Sequence, residues 1–170
     1  MGYHVVKKEQ QIIAVCGVKN SGKTTLLVKL VEALSKEGIR VAVIKHDGHD
    51  FTCDVPGTDS YKLHQAGAYG TAVFSDYRTF IHKEGCQERE QELIRQFPEA
   101  DIILIEGMKN SNYAKIEVIR KEISEYPVSN PQGRFLIATD WDLQKFDEPA
   151  RNIDDIESIL EEIVKKERKQ

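Results

Sequence analysis

The first continuous apolar run of the chain is Ile12-Ile13-Ala14-Val15-Cys16. Leu27, Leu30, Val31 and Leu34 follow at spacings i, i+3, i+4 and i+7, the stripe of an amphipathic helix. The pattern predicts a strand over about 11–16 and a helix over about 23–37, closed at Gly38, where positive φ is tolerated. Arg40-Val41-Ala42-Val43-Ile44-Lys45 is a second apolar run, of the kind found in sheets covered on both faces, so the chain opens on a β-α-β unit. Residues 46–58 are a long polar loop leaving the C-terminal end of that second strand, the end at which parallel sheets carry their sites. A short helix is expected over about 59–66, capped by Asp59 or Ser60 and ending before Gly67. Thr71–Phe74 and Tyr77–Ile81 are β-type runs, with Ser75-Asp76 as a tight turn between them, which predicts an antiparallel pair. Residues 87–97 read as a polar helix with Leu93, Ile94 and Phe97 facing inward. Ile102-Ile103-Leu104-Ile105 is the most buried-looking strand and ends in Glu106-Gly107. Further strands are expected at Ala114–Ile119 and Phe135–Ala138, separated by a Pro- and Gly-containing loop over 121–133. The tail, 153–167, has helical spacing with Asn152 as cap. Residues 1–10 are polar and read as frayed or edge sequence.

The join between the first strand and the first helix carries chemistry. Gly17-Val18-Lys19-Asn20-Ser21-Gly22-Lys23-Thr24 fits G-x-x-x-x-G-K-[ST], the phosphate-binding loop, and Thr25 continues it. Backbone N–H groups of such a loop point inward onto phosphate oxygens, and glycine permits the close approach. The helix that follows begins with unpaired N–H groups and a positive dipole end. Lys23 supplies a compact charge for the β- and γ-phosphates, and the Thr24 hydroxyl is a ligand for Mg²⁺. An ordinary turn matches these letters by chance; the strand before and the helix after are the context that separates the two. Lys19 remains open between a phosphate contact, a reach across a dimer and a solvated loop lysine.

Binding a nucleotide differs from hydrolysing it, which also needs the metal held and an attacking group oriented. Asp101 lies at the wrong end of its strand, whereas Glu106 lies level with the phosphate loop if the strands are parallel. Glu106 is therefore assigned a metal-water or water-orienting role, against the plainer reading of a strand-end acid. Asp47 leaves the second strand at the same edge and is the second catalytic candidate, with a solvated loop acid as its alternative. His46, His49 and Cys53 raise a soft-metal site of the kind seen in metal-delivery GTPases, but the spacing matches no standard zinc pattern, and a polar loop that meets substrate or phosphate is the blander reading. Asp140 and Asp142 follow the last strand and offer carboxylates for the paired N–H donors of guanine, with Trp141 between them as a stacking surface. A turn that merely ends a strand explains them equally, and the Asn-Lys-x-Asp motif of many GTPases is absent. Physics alone does not choose guanine over adenine here.

Composition narrows the field. A chain of 170 residues suggests a single phosphate-loop domain over 1–170, with room for an inserted arm, and is long enough to bury a real core. The net charge of −4, without a basic block before the tail, argues against nucleic acid as the main partner. No apolar run has the length of a signal peptide core or a membrane span, so no membrane partner is expected. Three cysteines, widely spaced, fit reduced thiols and a cytoplasmic location. A small-metabolite kinase needs an arginine-rich lid over the phosphates, and Arg78, Arg89, Arg95, Arg120 and Arg134 are scattered.

Several stretches together resemble one family, the molybdopterin-guanine dinucleotide biosynthesis protein B family. They are Gly17 to Thr25, Lys45-His46, Asp54-Val55-Pro56-Gly57-Thr58-Asp59-Ser60, Ala66-Gly67-Ala68 and Leu104-Ile105-Glu106-Gly107-Met108-Lys109, in that order across roughly 11–120. The resemblance implies an α/β, three-layer P-loop NTPase fold: a mostly parallel sheet flanked by helices, with a small antiparallel β arm. It implies a GTP-binding protein with weak Mg²⁺-dependent GTPase activity. Its role would be to help the guanylyltransferase that attaches GMP to molybdopterin, with molybdopterin itself a further candidate ligand. The sequence offers no clear catalytic glutamine or arginine finger, so a nucleotide-dependent binding module or adapter with negligible turnover stays open beside it. It also implies a homodimer, and a position near the nucleotide or cofactor phosphates for Asp54, Gly57, Asp59 and Ser60. Lys19 stands one position later than the early lysine of many dimeric P-loop proteins. Residues 121–170 match the family less clearly.

Overall fold

The first strand, β1 (Gln11–Cys16), lies at the middle of a six-stranded sheet in which every pairing is parallel. The protein is seen as a computed structural model that describes residues 9–47, 51, 53–85 and 90–167. The chain runs from β1 through α1 (Lys23–Lys36) to β2 (Val41–Lys45), then α2 (Asp59–Gln65), β3 (Gly70–Phe74), β4 (Thr79–Lys83) and α3 (Glu90–Ile94). It continues with β5 (Ile102–Glu106), β6 (Ala114–Ile119), β7 (Arg134–Thr139), a 3-10 turn at Leu143–Lys145, β8 (Ala150–Asn152) and α4 (Ile156–Glu167). The large sheet has the order β2-β5-β1-β6-β7-β8, and β3 and β4 form a separate antiparallel pair. This is the α/β architecture expected from the sequence, a parallel sheet flanked by helices with a small antiparallel arm.

The chain divides into two compact units, one made of Met1–His46 and Leu93–Gln170, the other of Asp47–Glu92. In the sheet unit, Ile13, Val15, Leu104, Ile116, Val118 and Leu136 pack with Leu26, Leu27 and Leu30 of α1 and Ile159 and Ile163 of α4. On the other face, Ile103 and Ile105 meet Leu93, Ile94, Met108 and Tyr113, while Ile119 and Ile137 meet Trp141 and Phe146. Covering both faces explains why β5 reads as an uninterrupted apolar run. Each fully buried Leu or Ile in it contributes about 1.5–3 kcal/mol of transfer free energy. Lys115 is buried on the second face, where its ammonium donates to the carbonyls of Ser111 (2.6 Å), Tyr113 (3.4 Å) and Gln132. Three carbonyls satisfy the buried charge and tie together the segments that lead into β6 and β7. Burial lowers the lysine's pKa from its ordinary value.

The inserted unit contrasts with this: among its described residues none is buried. Thr58 caps α2 by accepting from Tyr61 N, in place of the expected Asp59 or Ser60. The hairpin also differs from expectation. Phe74 pairs with Thr79, so the connection is four residues long and Tyr77 leaves the strand. Ser75 is the reason: its N–H donates to Arg78 O at 2.8 Å, and its hydroxyl accepts from Tyr77 N (3.3 Å) and Arg78 N (3.2 Å), closing a wider loop than a two-residue turn.

Other boundaries moved for local reasons. α3 covers Glu90–Ile94, and Phe97 lies beyond it; the start of the helix expected from residue 87 lies outside the described residues. Asn152 sits in β8, where its side chain accepts from Asp154 N, and Asp155 caps α4 instead, accepting from Ser158 N (3.1 Å) and Ser158 Oγ (2.7 Å). β8 is three residues long, too short to print a pattern, and pairs Ala150 with Ile137. The frayed segment expected over 1–10 lies outside the described residues except for Glu9 and Gln10.

Candidate functional site

The turn after β1 is shaped by its glycines. Gly17 has φ 141°, and a Cβ there would stand 2.6 Å from Val118 O and 2.8 Å from Ser21 Oγ. Asn20 takes φ 62°, a left-handed conformation that asparagine tolerates, and Gly22 takes φ 93° immediately before α1. Ser21 is wholly buried, its N–H donating to Val18 O, and its hydroxyl has no partner. A buried hydroxyl without a partner is costly, and such a group in a glycine loop suits an oxyanion. Lys19, Thr24 and Thr25 are exposed. The Lys23 ammonium bends back over the loop and donates to Val18 O at 2.7 Å, so its charge spans the space that the loop encloses.

Parallel register brings the second carboxylate to this turn. Val15 is opposite Glu106, and Lys45 is opposite it on the other side. Thr24 Oγ1 donates to Glu106 Oε2 at 2.9 Å, joining the first turn of α1 to the end of β5. The chain then curls sharply: Gly107 has φ 107° and Met108 φ 56°, and Gly107 N donates to Val15 O at 2.9 Å. The Cys16 thiol donates to Gly107 O at 2.9 Å, a second tie between the same two strand ends. Cys16 is buried, as a core residue should be, and burial first and Glu117 second push its thiol up to about 12.

Arg120 was not singled out by the sequence as a site residue, yet it stands at the loop. Its Nη1 lies 3.6 Å from the place a Cβ would occupy on Gly22. It follows β6, which pairs with β1, and the end of an adjacent parallel strand is the signal that identifies it. Asp140 holds it there: one carboxylate oxygen accepts from Arg120 Nε at 2.9 Å and the other from Lys121 N at 2.6 Å. Asp142 accepts from Gln144 N and begins the 3-10 turn. Trp141 is half-buried, its Nε1–H donating to Ser124 O, with the Lys145 ammonium 3.6 Å from its ring centroid. Arg134, by contrast, is bound to Glu148 and to Ser129 O, away from any phosphate role.

The remaining candidates lie in the inserted unit, except His46. Asp47 is exposed and begins that unit. Asp54 Oδ1 accepts from Val55 N (2.8 Å), Ser60 Oγ (3.1 Å) and Thr58 Oγ1 (3.4 Å), so the Asp54–Ser60 segment folds around this carboxylate. Gly57 supplies a positive φ of 91°, and Asp59 is exposed in the first turn of α2, paired with Lys62. Of the soft-metal trio, His46 is exposed beside Gly107, Cys53 is exposed with a free thiol, and His49 lies outside the described residues. A cavity of about 280 Å³ lined by Gln11, Ile13, Ala114 and Lys166 opens where β1 and β6 begin, the opposite end of the strands from the glycine loop.

Strand, glycine loop, helix and an acid on the neighbouring parallel strand define a protein of the P-loop class. The family model described as molybdopterin guanine dinucleotide synthesis protein B (MobB) matches residues 12–142, and the chain belongs to that family. It is 36% identical over 167 residues to the molybdopterin-guanine dinucleotide biosynthesis adapter protein of Escherichia coli, covering 94% of each chain. It is 32% identical over 149 residues to the adapter protein of the same name from Haemophilus influenzae, covering 85% of this chain and 84% of the relative. Among solved structures, Bacillus subtilis MobB superposes with a TM-score of 0.66 at 26% identity, covering 89% of this chain and 97% of that one. The MobB homolog from Bacillus stearothermophilus gives 0.67 at 22% identity, covering 94% and 99%.

Proposed function

We propose that this chain binds GTP with Mg²⁺ at the Gly17–Thr25 loop, hydrolyses it slowly, and assists the guanylyltransferase that joins GMP to molybdopterin. The observation that carries the reading is the 2.9 Å hydrogen bond from Thr24 Oγ1 to Glu106 Oε2, which pairs the loop hydroxyl with a carboxylate at the neighbouring strand end. A hydroxyl beside a carboxylate is the hard-oxygen set that suits Mg²⁺, and the unpartnered Ser21 hydroxyl lies in the same loop, so the residues fit the ion and its phosphates. Mg²⁺ held there by Thr24 and Glu106 would supply positive charge to offset that of the phosphates. Loop N–H groups and the start of α1 hold the phosphate tail. Lys23 leaves Val18 O for a phosphate oxygen. Glu106 orients Thr24 and a water, and Arg120, held by Asp140, faces the loop from the β6 side. The choice of guanine rests on the relatives, whose names specify a guanine dinucleotide.

The same names favour a second reading, in which nucleotide binding serves an adapter and turnover is incidental. Self-association is part of both readings. Leu63, Val73, Phe74, Tyr77 and Ile81 of the inserted unit are exposed, as apolar side chains reserved for a second copy would be. Calorimetric titration with GTP and ATP, with and without Mg²⁺, tests nucleotide and metal together. Lys23→Ala should weaken GTP binding about 100-fold or more, close to 2.7 kcal/mol; unchanged affinity overturns the loop reading. Glu106→Gln should bind GTP within about threefold and slow turnover about tenfold or more. Pull-down of the guanylyltransferase with and without GTP separates the two readings: nucleotide-dependent capture without measurable turnover leaves the adapter.

A further inference from the structure

We propose that the inserted unit holds one divalent transition-metal ion of the zinc class between His64, His82 and Glu84. His64 lies near the C-terminal end of α2, His82 lies on β4, and Glu84 directly follows β4. Glu84 N donates to Tyr69 O at 2.8 Å, which fixes the strand end that presents the carboxylate. His64 Nε2 is 3.2 Å from Glu84 Oε1, and His82 Nε2 is 3.3 Å from the same oxygen. The donor atoms of all three residues lie within 4.8 Å of one another. For metal–ligand bonds of about 2.0–2.1 Å at tetrahedral angles, neighbouring ligands stand about 3.3–3.5 Å apart. The two nitrogen–oxygen distances match that edge without rearrangement of the backbone. Two imidazoles and one carboxylate select zinc, cobalt, nickel or copper over Mg²⁺ or Ca²⁺, which take oxygen. A fourth position is left for water.

The competing account is a purely hydrogen-bonded cluster, with both Nε2–H groups donating to Glu84. The two accounts require opposite tautomers. In the hydrogen-bonded form the proton is on Nε2; in the metal form each ring carries it on Nδ1 and presents a bare Nε2. The rings approach to 4.3 Å between centroids at 45°, and both Nδ1 atoms are buried without a partner. Neither tautomer gives these Nδ1 atoms a partner, so it is the tetrahedral-edge spacing of the Nε2 and Oε1 atoms that points to the ion. No described residue of this unit is buried, and small units without a core are commonly held by metals, disulfides or association with a partner, so an ion would act beside self-association and not in place of it. An ion here would clamp α2 to the hairpin and supply what the missing core does not. The proposal is independent of the nucleotide site.

Metal-free, full-length protein titrated with Co²⁺ and followed by its visible absorption, then with Zn²⁺ by calorimetry, is the test. One equivalent per chain is expected, with affinity reduced about 100-fold in His64→Ala and His82→Ala, and about tenfold or more in Glu84→Gln. Glu84→Gln keeps a hydrogen-bond acceptor for both rings, so it reports ligation even if the alanine variants unfold the unit. Zinc should also shift the ring resonances of His64 and His82 selectively. The proposal is overturned if the parent binds either ion no more tightly than His82→Ala and Glu84→Gln do. It is equally overturned if binding survives in those variants and disappears in His46→Ala or Cys53→Ser.

Discussion

β5 and β4 are both five residues long, yet the first is buried at all but its last residue and the second alternates between half-buried and exposed. Both contain isoleucine, so composition alone does not separate them. β5 has a strand on each side and apolar residues over both faces. β4 has one partner strand and no buried neighbour in its own unit. A two-stranded pair is marginal by itself in water. The sheet unit is therefore held by its core, whereas the inserted unit is held by its strand pairing and by polar turns such as those of Asp54 and Ser75.

Matched truncations give the largest test of this contrast. Leu104→Ala removes a fully buried side chain from the sheet and should cost about 2–5 kcal/mol in chemical denaturation. Ile81→Ala, at a position 63% exposed on β4, should cost under about 0.5 kcal/mol in dilute protein. In concentrated protein the Ile81 variant should weaken self-association. Equal losses in dilute solution would mean that the hairpin has a core of its own, and the contrast would fail.

Identical glycine substitutions sharpen it. Gly17→Ala places a Cβ 2.6 Å from a backbone oxygen at φ 141°, whereas Gly57→Ala meets nothing within 4 Å at φ 91°. Both carry backbone strain of about 1–2 kcal/mol. Crowding should add about 1–3 kcal/mol at Gly17, together with loss of GTP binding. A Gly17→Ala variant that denatures like Gly57→Ala and still binds GTP would show that the loop yields where packing says it cannot.

What the sequence revealed follows the same line. Where burial is two-sided or helical spacing is regular, as in β1, α1, β5 and β6, apolar pattern dictates structure and the boundaries fall within a residue or two. Glu106 was legible because a strand end has a direction, and parallel register then puts it opposite Val15. Where side-chain hydrogen bonds decide, pattern is silent. Ser75 widened the hairpin turn, Asp155 displaced Asn152 as a cap, and Thr58 took the cap of α2. β8 escaped notice because three residues carry no period. Arg120 escaped because, without the knowledge that β6 lies beside β1, it was one arginine among several. His64 and His82 are 18 positions apart on different elements, and no spacing rule links them before the hairpin register is known.

The last comparison sets two of the three thiols side by side. Cys16 is fully buried in the sheet, and Cys53 is exposed in the insertion. Burial pushes the Cys16 thiol from 9.0 up to about 12, so near neutral pH it stays protonated and closed to reagents, and alkylation followed by peptide mapping should modify Cys53 and spare Cys16. The linkage has a definite sign. The unfolded chain loses this proton near 9.0 and the folded chain near 12, so the folded state binds more protons between those values. The contribution of Cys16 is complete below pH 9.0 and is lost as pH rises towards about 12, at no more than about 1.4 kcal/mol per pH unit. Denaturation of the parent and Cys16→Ala across that range isolates the contribution of the thiol. The parent should lose stability faster than the variant, although the variant starts lower because a buried sulfur has been removed. Parallel losses, or alkylation of Cys16 as fast as Cys53 in the native protein, would show that the end of β1 opens to solvent as readily as the insertion does.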